Sequence, residues 1–196
     1  MRPITLDGFE RTFAADDPWR TYTDRDEAVK RGAILHALGP GPWGRVLEVA
    51  AGNGSNSVAI APRARRLDAT EGTAAGTALA ARAIADHAPR ARAIRLAVPG
   101  RFPRARYDAV VVAELLYYLS ARALRATAAE TGRALRDGGM LVLAHHRIDF
   151  HDFAQHSRWL HRDFLAASGC RWDVRRVAGN RRWVVLACRK LGARTA

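Results

Sequence analysis

Several residues in the first half of the chain have the types and spacing of a nucleotide-like binding site. Residues 45–49 form a mostly apolar run that contains Glu48, and Gly52 and Gly54 follow it. This order predicts a buried strand, a glycine turn and a helix start, so that backbone N–H groups face a ligand. A second acid, Glu71, ends the next predicted strand, 19 residues after Gly52. At an offset of ~20 residues a carboxylate meets the ribose hydroxyls of adenosine ligands, so the pattern predicts an adenosine site.

The strand ending in Glu48, the two glycines and Glu71 together resemble the S-adenosylmethionine (SAM) signature of the class I methyltransferases. The resemblance implies SAM as the cofactor. It also implies cofactor contacts from Glu48, Ala50, Gly52, Gly54, Glu71 and Gly72. Ala50 stands where the family usually has its first glycine, and we expect this position to have a negative φ, because an alanine at positive φ strains the turn. The alternative is an α/β turn that binds no cofactor.

Strands and helices alternate along the chain after the glycine turn. Further strands are predicted at 66–71, 92–96, 107–113 and 140–144, and the continuous apolar run 107–113 is typical of a central parallel strand. Helices are predicted at 9–13, 24–38 with Asp24 as N-cap, 56–65 with an interruption at Pro62, 73–87 after Thr73, 120–136 after Ser120, and 159–167. A hairpin of 170–177 and 182–188, turning at Gly179 and Asn180, closes the chain.

This order, with the resemblance, predicts an α/β fold: a Rossmann-like seven-stranded class I methyltransferase sheet with helices on both faces and a C-terminal antiparallel hairpin. We expect one domain, in which an N-terminal helical flap of residues 1–44 packs on a SAM-binding core of residues 45–196. Ligands of such sheets bind beyond the carboxyl ends of the strands. The methyltransferase pattern often has an acid at the end of the third strand, where this chain has Ala97, so backbone groups near Ala97 and Val98 are expected to contact the adenine.

Three further segments are similar to the nodulation-type (NodS-like) N-methyltransferases, which methylate an amino-sugar nitrogen. They are Asp-Pro-Trp-Arg at 17–20, Glu-Leu-Leu-Tyr-Tyr-Leu at 114–119 and Leu-Val-Leu-Ala-His at 141–145, and the resemblance spans about residues 9–165. It places His145 on the substrate side. The segment at 17–20 has two interpretations: Trp19 and Arg20 cover the cofactor as a flap, or the Pro-Trp corner pins the N-terminus. In the N-terminal helix Asp26 precedes Glu27, where this branch tends to have an aromatic residue.

Methyl transfer from a sulfonium requires an unprotonated nucleophile held in line with the methyl group. We predict Glu114, His145 and Tyr117 as the catalytic residues. Glu114 is favoured for steering an amine and also as a cofactor contact, because it follows the central strand and a carboxylate stabilises positive charge on nitrogen. The alternative is that Glu114 caps the next helix or pairs with an arginine.

Five of the seven histidines lie between 145 and 161. Four of them, beginning at His146, recur every fifth residue, which is a poor period for one helical face, so we expect them on a loop. One or two are expected to act as base or substrate ligand. A metal site with Asp149 or Asp152 is the alternative, but we predict no metal ligands.

The formal charge is +13, and the only lysines are Lys30 and Lys190. The arginines are scattered, so we expect no nucleic-acid partner, although an RNA-binding methyltransferase relative and an anionic small substrate remain alternatives. Cys170 and Cys188 lie symmetrically about Gly179, which would place them opposite each other in the hairpin; free thiols are favoured over a disulfide.

We therefore predict a cytoplasmic SAM-dependent methyltransferase that methylates an amine nitrogen of a small metabolite, for which the NodS-like resemblance implies a sugar-derived molecule. The alternatives are O-methylation of a small natural product, with His145 as a strong base, and a scaffold that binds SAM without chemistry. The chain has no apolar run of membrane-span length and no secretory signal pattern. Nothing in the sequence bears on the oligomeric state.

Overall fold

The computed structural model describes residues 3–193. This part of the chain forms seven strands and six α-helices. In order they are α1 (Leu6–Thr12), α2 (Arg25–Leu38), β1 (Trp43–Val49), α3 (Ser55–Ile60), β2 (Ala64–Glu71), α4 (Ala74–Ala83), β3 (Ala91–Arg95), β4 (Tyr107–Ala113), α5 (Ala121–Ala134), β5 (Leu135–His146), α6 (Leu160–Ala167), β6 (Cys170–Gly179) and β7 (Trp183–Ala193). Short 3-10 turns occur at Ala61–Arg63, Ala85–His87, Leu116–Tyr118 and Ser157–Trp159.

The strands form one sheet in the order β3-β2-β1-β4-β5-β7-β6. The first five strands pair in parallel, and β7 runs antiparallel to both β5 and β6. The strand order reverses between β1 and β4, which is where ligands bind in open α/β sheets. This sheet confirms the predicted class I methyltransferase fold.

Helices cover both faces of the sheet, and each face has its own apolar core. On one face Ile34 and Leu38 of α2 pack with Ile60 and with Ile84 after α4. On the other face the core includes Leu124 of α5 and Phe164 of α6. The central strand β4 is fully buried from Ala109 to Val112, because its side chains contact helices on both sides.

The predicted helix starts are confirmed at three N-caps. The side chains of Asp24, Thr73 and Ser120 accept hydrogen bonds from backbone N–H groups in the first turns of α2, α4 and α5, at 2.7, 3.1 and 3.2 Å. Each cap satisfies an N–H group that has no partner within the helix. The predicted end of α5 is wrong: the helix stops at Ala134 rather than Arg136, because Leu135 already pairs with Tyr107 of β4, and the two glycines at 138 and 139 lie within β5.

The two cysteines do not face each other as the hairpin symmetry predicted. Cys170 pairs with Ala193, whereas Cys188 pairs with Val174, and both thiols are buried and free. The turn lies nearer residues 180–182 than Gly179, since Gly179 pairs with Val184, and this offset separates the cysteines. Among the described residues no helix is long and apolar enough to span a bilayer.

The N-terminal residues fall into two parts. Helix α1 lies near α4, whereas α2 packs against β5, β6 and β7. The division into a flap of residues 1–44 and a core of residues 45–196 stays a prediction.

At Gly54 the loop after β1 packs closely against α4. It has φ +83°, and a Cβ there would lie 2.9 Å from Ala80 Cα and 2.8 Å from Ala83 Cβ. We expect Gly54→Ala to lower the free energy of unfolding by at least about 2 kcal/mol, because left-handed strain and overpacking add. Urea unfolding measures the change.

Gly32→Ala is the matched control. Gly32 lies within α2, and a Cβ there meets no atom within 4 Å. Here the same substitution should raise the free energy of unfolding by about 0.5–1 kcal/mol, because alanine loses less backbone entropy in a helix. Equal effects at both positions would contradict the packing role of Gly54.

Candidate functional site

A cavity of about 620 Å³ opens at the carboxyl ends of the parallel strands. Its lining divides into two groups by origin. The first group comes from the ends of β1, β2 and β3 and includes Ala50, Gly52, Glu71, Gly72, Ala97 and Val98. The second comes from α2 and the ends of β4 and β5, and includes Glu27, Lys30, Glu114, Tyr117 and His146. We call these the first end and the second end of the cavity.

The turn after β1 winds through three left-handed residues. Ala50, Gly52 and Gly54 have φ of +56°, +58° and +83°. The prediction of a negative φ at Ala50 is therefore wrong, and an alanine in this region costs about 1–2 kcal/mol relative to a right-handed conformation. The tight turn still forms, because Ala51 N–H donates to the carbonyl of Thr70 at 2.8 Å and Gly54 N–H donates to Ala51 at 3.0 Å.

Glu71 is held at the rim of this turn by three hydrogen bonds. Its carboxylate accepts from Gly52 N–H at 3.1 Å, and from the N–H and hydroxyl of Thr73 at 3.0 and 2.9 Å. The side chain is 6% exposed and lines the cavity. Three donors fix its orientation, so the carboxylate is preorganised to accept further hydrogen bonds from a ligand.

Glu48 lies beneath the turn and does not line the cavity. It is fully buried, and its carboxyl group accepts a short hydrogen bond from the Ser57 hydroxyl. Burial raises the pKa of Glu48 to about 7, against the lowering effect of its hydrogen bonds with Ser57 and Asn56. Gly54 also lies outside the lining, buried against α4.

The residues before the core cover the first end of the cavity. The rings of Phe13 and Trp19 meet edge to face with centroids 5.2 Å apart, and both line the cavity. Arg20 is exposed and does not line it. Hydrogen bonds hold these N-terminal residues at two places. Glu10 accepts from the Ala74 and Ala75 N–H groups at 2.7 and 2.9 Å, and the Asn53 amide donates to Asp17 at 3.0 Å.

The second end of the cavity is built around Lys30. Its ammonium is 3% exposed and donates to Glu27 and Glu114, each at 2.7 Å. Burial alone would lower the pKa of Lys30, but the two carboxylates outweigh it and raise the pKa above its usual value. The group therefore stays a cation at neutral pH. Glu114 has φ +52°, and its N–H donates to Ala144 at 2.9 Å, which anchors the turn after β4 to β5.

Tyr117 and His146 complete this cluster. The Tyr117 hydroxyl donates a short hydrogen bond to Glu114 Oε2, and burial together with Glu114 raises the pKa of Tyr117 well above its usual range. His146 Nε2 lies 3.8 Å from Glu114 and 3.9 Å from Glu27. Its Nδ1 lies 3.3 Å from the carbonyl oxygen of Arg182, which can only accept, so Nδ1 carries a proton and Nε2 faces the cluster.

His145, the neighbouring residue, has a structural role, because both of its ring nitrogens make hydrogen bonds within the protein. Its Nε2 accepts from Leu116 N–H at 3.1 Å, so its Nδ1 carries the proton and donates to His161 Nε2 at 2.8 Å. Burial, then the charges of His161 and Lys30, lower the pKa of His145 well below its usual value; burial lowers the pKa of His161 to about 4. His145 is 1% exposed and does not line the cavity. Both ring nitrogens are engaged, so it is not available as a base towards a ligand.

The histidines do not share one loop. His146 ends β5 and His161 lies in α6, while His151 and His156 lie on the segment between them. The expectation of one loop fails because β5 and α6 extend into this interval from either side. Across residues 3–193 no three His, Cys, Asp or Glu side chains form a group that could hold a metal.

The charge of the cavity is opposite to that of the chain. Four carboxylates line it, from Glu27, Glu71, Glu114 and Asp152, against one fixed cation, Lys30. None of the arginines that the structure describes lies in the lining, although the chain carries a formal +13. The basic composition therefore belongs to the surface, and the cavity favours ligands with positive charge.

Of the predicted site residues, nine line the cavity: Trp19, Ala50, Gly52, Glu71, Gly72, Ala97, Val98, Glu114 and Tyr117. Glu48, Gly54, Arg20 and His145 do not. The sequence analysis missed Glu27, Lys30 and His146 as site residues. One signal was present: Lys30 is one of two lysines in an arginine-rich chain, and both lysines are buried.

Comparisons with known proteins agree with this geometry. A family described as "Methyltransferase domain" matches residues 46–139, a little under half of the chain. The structure is similar to the N-methyltransferase NodS from Bradyrhizobium japonicum, solved with S-adenosyl-L-homocysteine (SAH), with a TM-score of 0.81 at 19% identity over 94% of this chain and 97% of that one. No curated protein sequence matches the chain.

Two other similar structures differ in the atom that they methylate. Phosphoethanolamine N-methyltransferase 1 from Haemonchus contortus, solved with phosphoethanolamine and SAH, gives a TM-score of 0.70 at 19% identity over 97% of this chain and 50% of that chain. Geranyl diphosphate C-methyltransferase from Streptomyces coelicolor, solved with Mg²⁺, geranyl diphosphate and SAH, gives 0.68 at 14% identity over 89% and 82%.

The seven-stranded sheet has the class I SAM-dependent methyltransferase fold, and residues 46–139 match a methyltransferase domain, with SAM as the cofactor. The predictions of fold class and cofactor are confirmed. Within that class its structure resembles NodS, as the three sequence segments indicated.

The buried histidine pair predicts how stability depends on pH. Unfolded histidine has a pKa near ~6.5, whereas the pKa of folded His161 is about 4. Between these two pH values the unfolded state binds a proton and the folded state does not. The free energy of unfolding therefore has its full value above pH ~6.5 and decreases as the pH falls towards 4, by up to ~1.4 kcal/mol per pH unit for each such group. We expect His161→Gln to reduce this slope in urea unfolding measured across that range.

The exposed His36→Gln serves as the matched control for the loss of an imidazole at the surface. A wild-type slope in His161→Gln would show that the His145–His161 pair does not govern acid sensitivity.

Proposed function

We propose that this methyltransferase transfers the methyl group to an amine nitrogen of a small molecule. The observation that carries the proposal is the charge of the second end of the cavity, where Glu27 and Glu114 surround one lysine. A net negative site within a basic protein selects a cation over an anion, and an amine arrives in water as an ammonium. Two of the structures similar to this one, NodS and phosphoethanolamine N-methyltransferase 1, are N-methyltransferases, which supports this choice of acceptor.

We infer that the first end of the cavity holds the cofactor. Glu71 would accept hydrogen bonds from the ribose hydroxyls. Gly52 and Gly72 have no side chain, so the cofactor could lie close to the backbone at these positions. The adenine would contact apolar side chains and backbone groups at Ala97 and Val98, since no acid of the described lining comes from the end of β3. Phe13 and Trp19 would close this end against water. These residues fit SAM, which is itself cationic, because the lining is acidic and apolar.

At the second end, the acceptor nitrogen would bind between the carboxylates of Glu27 and Glu114. When bound, SAM supplies an electrophilic methyl group on a sulfonium, which the nitrogen lone pair attacks in line as the S–C bond breaks. Glu114 orients the nitrogen, because its own carboxylate is fixed by Lys30 and Tyr117. Preorganisation of this kind supplies much of the rate enhancement of bimolecular transfers.

His146 would accept the proton that the acceptor loses. Its Nε2 faces the same two carboxylates, and Nδ1 is held by the Arg182 carbonyl. This assigns the role of base to the residue next to the predicted His145. An O-methyltransferase needs a stronger base for a hydroxyl, and the nitrogens of His145 are both engaged, which favours nitrogen over oxygen.

The walls of the second end favour an acceptor with a ring. Tyr117 and Phe153 stack with centroids 3.7 Å apart, and Phe150 and Tyr118 each meet Phe153 edge to face at 5.3 Å. Phe150 is 41% exposed at the rim of the cavity. Such surfaces pack against the apolar face of a sugar ring or against an aromatic body, so an amino sugar and an aromatic amine are the two acceptor types to test.

Glu71→Gln tests the cofactor site. We expect the affinity for SAH, measured by calorimetry, to fall about 10- to 100-fold, because a charged hydrogen bond is worth about 1.5–3 kcal/mol. Glu48→Gln is the matched control: Glu48 is buried beneath the turn, and the change should leave the affinity nearly as in the wild type. Equal losses in both variants would contradict the role of Glu71.

Paired acceptors test the reaction. We expect methyl transfer from labelled SAM to glucosamine or 2-phenylethylamine, and none to glucose or 2-phenylethanol, which carry hydroxyls only. Glu114→Gln should lower kcat about 100-fold while the affinity for SAH is retained, because the carboxylate acts on the acceptor. Transfer to the alcohols at rates equal to those of the amines would reject the proposed acceptor.

A further inference from the structure

The two lysines of this chain stand apart from its arginines, since both are buried. Lys190 is 9% exposed, and its ammonium donates to the carbonyl oxygens of Gly132 and Leu135 at 2.8 and 2.7 Å. It thereby joins β7 to the end of α5 and the start of β5. Lys30 is 3% exposed and its hydrogen bonds go to carboxylates alone, at the wall of the cavity. One lysine therefore has a packing role, whereas the other places a fixed positive charge in the site.

A lysine suits this position better than an arginine. Glu27 lies one turn before Lys30 in α2, and Glu114 comes from the turn after β4. An ammonium is a compact point charge that reaches both carboxylates at 2.7 Å, whereas a planar guanidinium pairs bidentately with one.

We propose that Lys30 keeps the bound acceptor amine unprotonated by offsetting one of the two carboxylates that bind it. This inference rests on the proposed N-methylation. Without Lys30, Glu27 and Glu114 would carry two negative charges beside the acceptor and would hold it as an ammonium, which has no lone pair for attack. With Lys30 the cluster keeps one net negative charge. That charge attracts the ammonium, and the nearby lysine weakens its hold on the proton.

Among the groups around Lys30, no other carries a permanent positive charge. Tyr117 donates its hydroxyl proton to Glu114 and is neutral, because its pKa is raised well above the usual range. His145 lies behind the cluster and is neutral, since burial lowers its pKa. His146 faces both carboxylates through Nε2. Within the cavity lining that the structure describes, Lys30 is thus the one permanent positive charge.

The proton balance is as follows. The ammonium R–NH₃⁺ gives one proton to His146 Nε2 and becomes R–NH₂. Its lone pair forms the N–C bond as the S–C bond of the sulfonium breaks, which yields R–NH₂CH₃⁺ and neutral SAH. His146 passes the proton that it accepted to water at the mouth of the cavity before the transfer, so an amine bound beside SAH also loses that proton to the solvent.

The pH dependence of kcat tests the proposal, with the panel amine that is methylated fastest. We expect Lys30→Met to move the acid limb of the profile to higher pH by about 1 unit or more, because loss of a nearby positive charge raises the pKa of the bound amine. Lys190→Met is the matched control, since it also removes a buried lysine; it should lower stability and leave the limb in place.

A charge-compensated pair separates charge from shape. Glu27→Gln alone should move the acid limb to lower pH. The double variant Lys30→Met with Glu27→Gln restores the wild-type net charge and should return the limb to its wild-type position. This comparison also stands if Lys30→Met by itself does not fold, because the double variant leaves one carboxylate without a cation instead of two, and Tyr117 still donates to that carboxylate of Glu114.

Calorimetry gives a readout that does not depend on turnover. Binding of the same amine to the SAH complex at pH 7.5, measured in two buffers of different ionisation enthalpy, should release close to one proton from the wild type and clearly fewer from Lys30→Met.

The proposal is overturned if a folded Lys30→Met that binds SAH keeps the wild-type limb and proton release, or if the double variant behaves like Lys30→Met. The proposed function fails separately, and takes this inference with it, if the wild type methylates the alcohols of the panel and not the amines.

Discussion

The buried ammonium of Lys30 lies between the carboxylates of Glu27 and Glu114, and it joins α2 to the carboxyl end of the central strand β4. Breaking such a triad by removing one member leaves an uncompensated charge out of water, which costs several kcal/mol. The pairing of Lys30 with Glu27 and Glu114 therefore fixes where α2 lies relative to β4. The same pairing fixes the charge of the second end of the cavity, so one interaction serves both the packing of the N-terminal helix and the chemistry of the proposed acceptor site.

The rest of the structure supports this triad from two sides. Asp26, which stands where NodS-like sequences tend to have an aromatic residue, accepts from Trp183 Nε1 at 2.9 Å and pairs with Arg182. The C-terminal hairpin thereby holds the start of α2. On the other side, the His145 ring accepts from Leu116 N–H and orders the turn that carries Glu114 and Tyr117. Strand β5 thus contributes two adjacent histidines with different tasks, one within the fold and one facing the cavity.

The contrast between the surface and the cavity explains why the composition alone misleads. A chain of formal charge +13 suggests an anionic partner, yet the described cavity lining has four carboxylates and no arginine. Net charge is a property of the whole surface and acts over a Debye length, whereas binding in a cleft depends on the few groups that line it. For this protein, the local charges favour cationic ligands, among them the sulfonium of SAM.

Local sequence patterns were sufficient to predict the fold and the residues at the first end of the cavity. The apolar run of β4, the N-caps at Asp24, Thr73 and Ser120, and the glycine turn with Glu71 are set by neighbours in sequence, so their positions follow from periodicity, capping and a fixed offset. The family resemblance then supplied the sheet and the cofactor, because parallel β/α repeats of this order close into few topologies.

The acceptor end depended on contacts between residues far apart in the chain. Lys30 meets Glu114 84 residues away, and nothing local in either segment indicates that pairing. The choice between His145 and His146 is a matter of strand alternation at the end of β5, where successive side chains point to opposite faces, and a shift of one residue exchanges their roles. The positive φ of Ala50 likewise arises because the turn must bring Ala51 N–H to Thr70 on the neighbouring strand. The sequence by itself determined the sheet and the edge that is proposed to bind the cofactor; only the tertiary structure decided which charges meet, because Coulomb and hydrogen-bond partners depend on distance in space rather than along the chain.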